Sequence, residues 1–159
     1  MTVFFHAIPT EDAEHLWSGG ADAYGRLPET LVADGPGYPC RHCLSAIAAG
    51  EELLVLAYRP FPQLQPYAET GPIFLHKARC RQYAASEVLP PALGSPDYIV
   101  RGYGRDDRIV YGTGAVTPTE SILTRAEELL AREDIAYVHV RSARNNCYQC
   151  RIDRSSSAG

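Results

Sequence analysis

The chain has 159 residues, 45% of them hydrophobic and 21% charged, and a net charge of −4. That length can bury one core without cross-links, and the acidic balance argues against a nucleic-acid partner or a polybasic membrane surface. The longest apolar run, Leu53 to Ala57, is too short to span a bilayer.

Taken in chain order, Val3 to Ile8 reads as a first strand. Thr10 is placed to cap a short helix running through Trp17, with Gly19-Gly20 as its stop. The turn at Gly35-Pro36-Gly37-Tyr38-Pro39 leads to a segment ending at Gly50, with Pro39 suited to a first helical position. Glu52 to Tyr58 is rich in strand formers and halted by Pro60 and Pro62. Ile73 to His76 makes another short strand. A long irregular stretch with Pro90, Pro91, Gly94 and Pro96 follows. Tyr98 to Tyr103 and Arg108 to Tyr111 form an expected hairpin about Gly104-Arg105-Asp106-Asp107. Thr117-Pro118-Thr119-Glu120 has the form of a capping box. Ile122, Leu123, Ala126, Leu129 and Leu130 then share one helical stripe. Ile135 to Val140 and Cys147 to Ile152 close the chain as strands joined through Ala143 to Asn146. Strands outnumber helices and are often neighbours. The expected class is therefore α+β, a mainly antiparallel sheet with two to three helices packed on it. Residues 1–154 are expected to form a single globular domain and residues 155–159 a disordered tail.

Five cysteines carry the most information. The N-terminus has no basic, signal-like segment, so the expected location is cytoplasmic, where thiols stay reduced. An odd count there favours free thiols, a metal or catalysis over a disulfide framework. Cys147 and Cys150, three apart on a strand, point to opposite faces and cannot share one ion. Tyr148, Cys150 and Ile152 are assigned to the core face. Cys40 and Cys43 open the segment read as a helix, where free N–H groups and the dipole favour a thiolate. Three readings of this pair stay open: core packing, metal ligation, and nucleophilic or redox use. Leu44 follows the second cysteine where zinc knuckles commonly carry glycine, which weighs against zinc. His76 ends a strand, and with Cys80 it would complete a Cys3His set of Cys40, Cys43, His76 and Cys80, with zinc as candidate cofactor. If the chain is an enzyme, Cys40 or Cys43 supplies the thiolate and His76 the acid, base or ligand; whether it is one stays open.

A second group comprises Arg101 and Tyr103 on one strand face and Tyr137, His139 and Arg141 on another. Guanidiniums beside tyrosine hydroxyls can hold a carboxylate or phosphate. Arg101, Tyr103, His139 and Arg141 are therefore candidate ligand-binding residues for a small anionic ligand; the rival reading is a solvated sheet face. Glu69, just before Gly71-Pro72, is a further ligand-binding candidate, placed to orient His76 or bond a substrate. No dinucleotide, P-loop, H-E-x-x-H or G-x-S-x-G motif occurs. The oligomeric state is open.

Several words of the sequence, including Tyr38-Pro39-Cys40-Arg41-His42-Cys43-Leu44, Gly71-Pro72-Ile73-Phe74-Leu75-His76, Arg101-Gly102-Tyr103 and His139-Val140-Arg141, resemble a bacterial family known only as domain of unknown function 1203. The resemblance runs from about Phe4 to Arg154. It implies a single-domain bacterial protein and assigns no activity; Cys150 is not part of its pattern. The leading expectation is one small-molecule or metal pocket, floored by the Cys40 segment and His76 and rimmed by Arg101 and Arg141. The alternatives are a non-catalytic module in which the Cys/His set holds zinc or only packs, and a thiol redox switch.

Overall fold

The strand-forming runs pair into two antiparallel sheets rather than one. The computed structural model describes residues 2–155. In chain order the elements are β1 (Phe4–His6), α1 (Thr10–Trp17), β2 (Glu29–Val32), β3 (Glu52–Tyr58), β4 (Gly71–His76), β5 (Asp97–Tyr103), β6 (Ala115–Pro118), α2 (Ile122–Leu130), β7 (Tyr137–Ser142) and β8 (Tyr148–Asp153). A five-stranded sheet runs β1-β8-β7-β5-β6 and a three-stranded sheet runs β2-β3-β4. The α+β class and sheet dominance hold, with two α-helices and a 3-10 turn, Thr119–Ser121, before α2.

Each sheet has its own core. One face of the larger sheet packs Val100, Val138, Val140, Cys150 and Ile152 against Ile122, Ala126, Leu129 and Leu130 of α2. The smaller sheet packs Leu53, Leu54, Leu56, Ile73 and Leu75 with Ala13 and Leu16 of α1 and with Cys40 and Tyr148. At roughly 25 cal/mol per Å2 of apolar surface, these two layers supply most of the drive to fold.

Four local expectations are corrected. No helix follows Pro39: a tight turn forms instead, in which Leu44 N–H donates to Cys40 O (2.9 Å) and Cys40 N–H to Ser45 O (2.9 Å). Leu44 takes the left-handed conformation at φ 54°. Thr10 does not cap α1, whose N-cap is Pro9 with no side-chain bond. The Thr10 hydroxyl lies 2.9 Å from His42 Nε2 instead. Thr117 and Pro118 belong to β6, with Thr117 opposite Tyr98; β6 is the sheet edge, where a residue without an N–H is tolerated. β6 pairs with Asp97 to Val100 of β5, and the expected hairpin survives only at its turn end, where Gly104 N–H donates to Arg108 O (3.0 Å), Val110 N–H donates to Gly102 O (3.0 Å) and Tyr103 bridges Ile109.

The fourth correction concerns β8. Val140 pairs with Cys150 but Arg141 pairs with Tyr148, so a bulge admits Gln149 as an extra residue. Alternation breaks there. Cys150 joins the α2 core as expected, whereas Tyr148 turns to the opposite core. Of the expected tail, residues 156–159 lie outside the described residues.

Candidate metal centre

The turn after Pro39 exists because its backbone is caught on both sides. Pro39 bridges Ala46, and Cys40 bridges Phe74 in parallel, so this segment extends the smaller sheet past β4. Arg41 N–H donates to Phe74 O (3.0 Å), and Ile8 N–H donates to Arg41 O (3.2 Å). The turn is thus fixed between the start of α1 and the edge of β4. Arg41 is buried, its Nε donating to Tyr148 O (2.7 Å) and its Nη1 to Pro39 O (2.7 Å). Burial lowers its pKa to about 10.

This turn aims both cysteines at the end of β4 and the residues beyond it. The donor atoms of Cys40, Cys43, His76 and Cys80 all lie within 4.8 Å of one another. Cys40 Sγ is 3.8 Å from Cys80 Sγ, and Cys43 Sγ is 3.5 Å from His76 Nδ1. A tetrahedral zinc ion, with bonds of about 2.3 Å to sulfur and about 2.0 Å to nitrogen, spaces its ligands about 3.8 Å (S to S) and about 3.5 Å (S to N) apart. Both spacings match. Cys40 is fully buried; Cys43, His76 and Cys80 are half-buried. All five cysteines are free.

The surroundings serve the donors as well. His76 N–H points at Cys40 Sγ (3.4 Å), a bond that favours thiolate over thiol. The Cys43 thiol, then backbone N–H groups of Cys43, His76 and His42, hold the Cys40 thiol down to about 4 against the opposing effect of burial. Bonding to that sulfur, together with burial, pushes Cys43 upward. Burial, followed by the Cys40 charge, pushes Cys80 up to about 12. One sulfur carries the negative charge, and a second or third thiolate needs a cation beside it.

With Nδ1 facing Cys43, the other ring nitrogen of His76 lies 3.9 Å from Glu51 Oε1. A carboxylate behind a ligating imidazole orients the ring and raises its basicity. Glu51 Oε1 also accepts Ala48 N–H (2.8 Å), which fixes the carboxylate. Trp17 Nε1 donates to His76 O (2.8 Å), tying α1 to the strand end. His42 Nδ1 lies 3.3 Å from Cys80 Sγ, and its other nitrogen meets Thr10. Sequence reading passed over Glu51, Trp17 and His42. His42 alone carried a signal, since it sits inside the C-x-x-C word.

Cys147 and Cys150 take no part: Cys147 Sγ lies 3.8 Å from Asn145 O, and Cys150 is sealed in the α2 core.

The arginine and tyrosine group assembles elsewhere. Arg101 Nη2 donates to Glu69, whose second oxygen accepts Asn146 Nδ2 (2.6 Å) and lies 3.9 Å from Arg141 Nη1. The carboxylate between these guanidiniums is therefore the chain's own. Arg101 Nε also donates to the Tyr103 hydroxyl (3.0 Å). His139 is fully buried among the rings of Tyr103, Tyr137, Phe61 and Tyr148, with centroids 4.7–5.2 Å away. It borders a cavity of about 680 Å3 between the two sheets, and none of the four metal-type donors lines that cavity. The single pocket expected from the sequence resolves into two separate places.

No helix among the described residues is long and apolar enough to cross a membrane. No curated protein matches the chain, and no solved structure does. A family model described as "Protein of unknown function (DUF1203)" matches residues 37–154, which hold all four donors and the arginine network, while β1, α1 and β2 precede the match. With most of its length matched, and with the C-x-x-C turn and His76 inside the match, the chain belongs to the DUF1203 family.

Proposed function

We propose that this protein is a zinc-stapled, non-catalytic binding module, in which Cys40, Cys43, His76 and Cys80 hold one structural zinc ion. The observation that carries this reading is the donor spacing of 3.8 Å between sulfurs and 3.5 Å between sulfur and imidazole, within a set confined to 4.8 Å. Three thiolates and one imidazole fill a tetrahedron, leaving no open position for a hydrolytic water.

The fold supplies a reason for a staple at this place. Residues 77–96, between β4 and β5, contain no regular strand or helix. Structureless segments of that length are uncommon inside compact domains and need another anchor. Here the segment is tied to the cysteine turn by Tyr83 N–H to His42 O (2.9 Å) and Ala92 N–H to Leu44 O (3.0 Å). A metal bridging Cys80 to Cys40, Cys43 and His76 would join segment, turn and β4 at one point.

The test is composition and spectrum together. Purified protein is expected to contain one zinc per chain after dialysis, and cobalt exchanged into it should give intense visible bands of a tetrahedral thiolate site. Protein free of metal, with thiols that react quickly at pH 6, would replace this reading with that of a low-pKa functional cysteine. Reversible Cys40–Cys80 oxidation by mild peroxide in metal-free protein would support a redox switch, the sulfurs being 3.8 Å apart.

A further inference from the structure

Among the described residues, the buried side-chain nitrogens that lack any hydrogen-bond partner belong to two residues: Nδ1 and Nε2 of His139, and Nε and Nη2 of Arg141. They stand two apart on the same face of β7, the face turned toward the smaller sheet. An imidazole sealed from water with both nitrogens unpartnered carries an unmet desolvation cost. Such a cost persists in a native protein where something else meets those groups. His139 also borders the cavity between the sheets. At about 680 Å3, the cavity falls in the range of small-molecule sites, roughly 300–1,000 Å3.

The charges around the cavity determine which kind of molecule suits it. In the strand register, Arg101 and Arg151 flank His139 on its two neighbouring strands, with Arg141 next along its own. Burial, then the guanidiniums of Arg141, Arg151 and Arg101, hold the His139 pKa well below its usual value, so the ring stays neutral. It offers one N–H and one lone pair. Three of the acids lining the cavity are already engaged. Asp12 accepts the Tyr58 hydroxyl (2.8 Å), Asp107 accepts the Tyr137 hydroxyl (2.7 Å), and Asp22 accepts the N–H groups of Ala57, Tyr24 and Arg26. The fourth, Glu11, is exposed to solvent. Arg151 is paired with Asp153 (2.8 Å). Arg59, also in the lining, is half-buried and, among the described residues, donates only to the carbonyls of Phe61 (3.0 Å) and Pro62 (3.3 Å). Among the described residues it forms no ion pair within 4.0 Å. A guanidinium that among the described residues meets carbonyls but no carboxylate, one unpartnered imidazole and walls that include Leu56, Pro60, Phe61 and the Tyr58 and Tyr148 rings describe a site for a monoanion with a flat apolar body.

We propose that the inter-sheet cavity binds a small ring-bearing monocarboxylate, its carboxylate meeting His139 and Arg59 and its ring lying against Phe61, Tyr58 and Tyr148. The site is independent of the candidate metal centre, because none of Cys40, Cys43, His76 and Cys80 lines it.

The experiment uses the full chain as purified, with its metal content measured first. It is titrated calorimetrically with benzoate, phenylacetate and cyclohexanecarboxylate, and with benzamide as the uncharged control. At least one carboxylate should bind one-to-one in the millimolar range or tighter, as expected for about nine heavy atoms. Benzamide should bind at least about tenfold more weakly, the equivalent of one charge-assisted bond. Arg59→Ala should weaken the carboxylate about tenfold and leave benzamide unchanged. His139→Phe should abolish binding; because that variant can fail to fold, the 15N resonances of the His139 ring are followed in the wild-type protein during the same titration. A saturating shift of one ring nitrogen supports the site. No saturable binding by any of the three acids overturns the proposal. So does equal affinity for benzamide, or a His139 ring that stays unmoved at saturation.

Discussion

Removing the zinc proposed for the Cys3His cluster is the most direct test of that reading, and its magnitude can be worked out. Zinc that binds only the folded chain stabilises it by RT ln(1 + [L]/Kd), about 4 kcal/mol when free zinc stands a thousandfold above Kd. For a chain of 150–250 residues each kcal/mol moves the melting temperature by about 2–4 °C, so stripping zinc should lower it by about 8–16 °C. The loss should also be local before it is global. Both sheets have their own apolar layers, whereas residues 77–96 lean on the cysteine turn. Scanning calorimetry with and without a strong chelator measures the shift. Hydrogen exchange should place the first loss of protection at residues 39–46 and 77–96, with β5, β7 and β8 still protected. Cys40→Ser should reproduce the chelator's effect, and Cys147→Ser, outside the cluster, should melt with the wild type. A protein that carries one zinc yet melts within about 1 °C of its stripped form would refute the staple, since it would mean the ion binds folded and unfolded chains alike.

Other perturbations test single contacts. Glu51→Gln keeps an acceptor for Ala48 N–H but removes the charge behind His76, and should weaken zinc about tenfold in competition with a chromophoric chelator. Leu44→Gly relieves a left-handed strain of about 1–2 kcal/mol, but empties a site only 1% exposed, where losing the side chain costs about 2–5 kcal/mol. Packing wins, and urea denaturation should show a net loss of about 1–3 kcal/mol. Glu69→Ala leaves Arg101 and the buried Arg141 without their shared carboxylate; discounted for the one-third exposure of Glu69, the loss should be about 2 kcal/mol. His139 has its pKa depressed in the folded state, so below about pH 6.5 the unfolded chain binds a proton that the native chain refuses. Stability should therefore fall with pH by about 1.4 kcal/mol per unit below that point. In His139→Gln the slope between pH 6.5 and 5 should lessen by one proton; an unchanged slope would show that His139 titrates normally.

The Cys3His set was legible in the sequence because its signal is chemical type and spacing: two cysteines three apart, then a histidine and a cysteine four apart. The backbone that presents it was not legible. Pro39 at the head of an apolar stripe reads as a helix start, and the turn forms because Phe74 and Ile8, neighbours only in space, take the hydrogen bonds of Arg41. Leu44 counted against zinc for the same reason. A leucine in the left-handed region is unfavourable by itself, and only the core around it makes the conformation acceptable. Glu51, Trp17 and His42 reach the donors through pairings that no local pattern encodes.

The strand face of Tyr137, His139 and Arg141 followed from alternation along β7, and the sealing of Cys150 from its place on β8. Alternation then failed one residue further on. A bulge is a matter of how two strands meet, so Tyr148 crossed to the other core. Composition and spacing determined the class of fold, the donor set and the polar strand face, because each is a property of residue type and short-range period. That the donors and the arginine face are separate places was decided by tertiary structure alone. Two sheets divide the buried volume between them, and no local period records which sheet a strand will join.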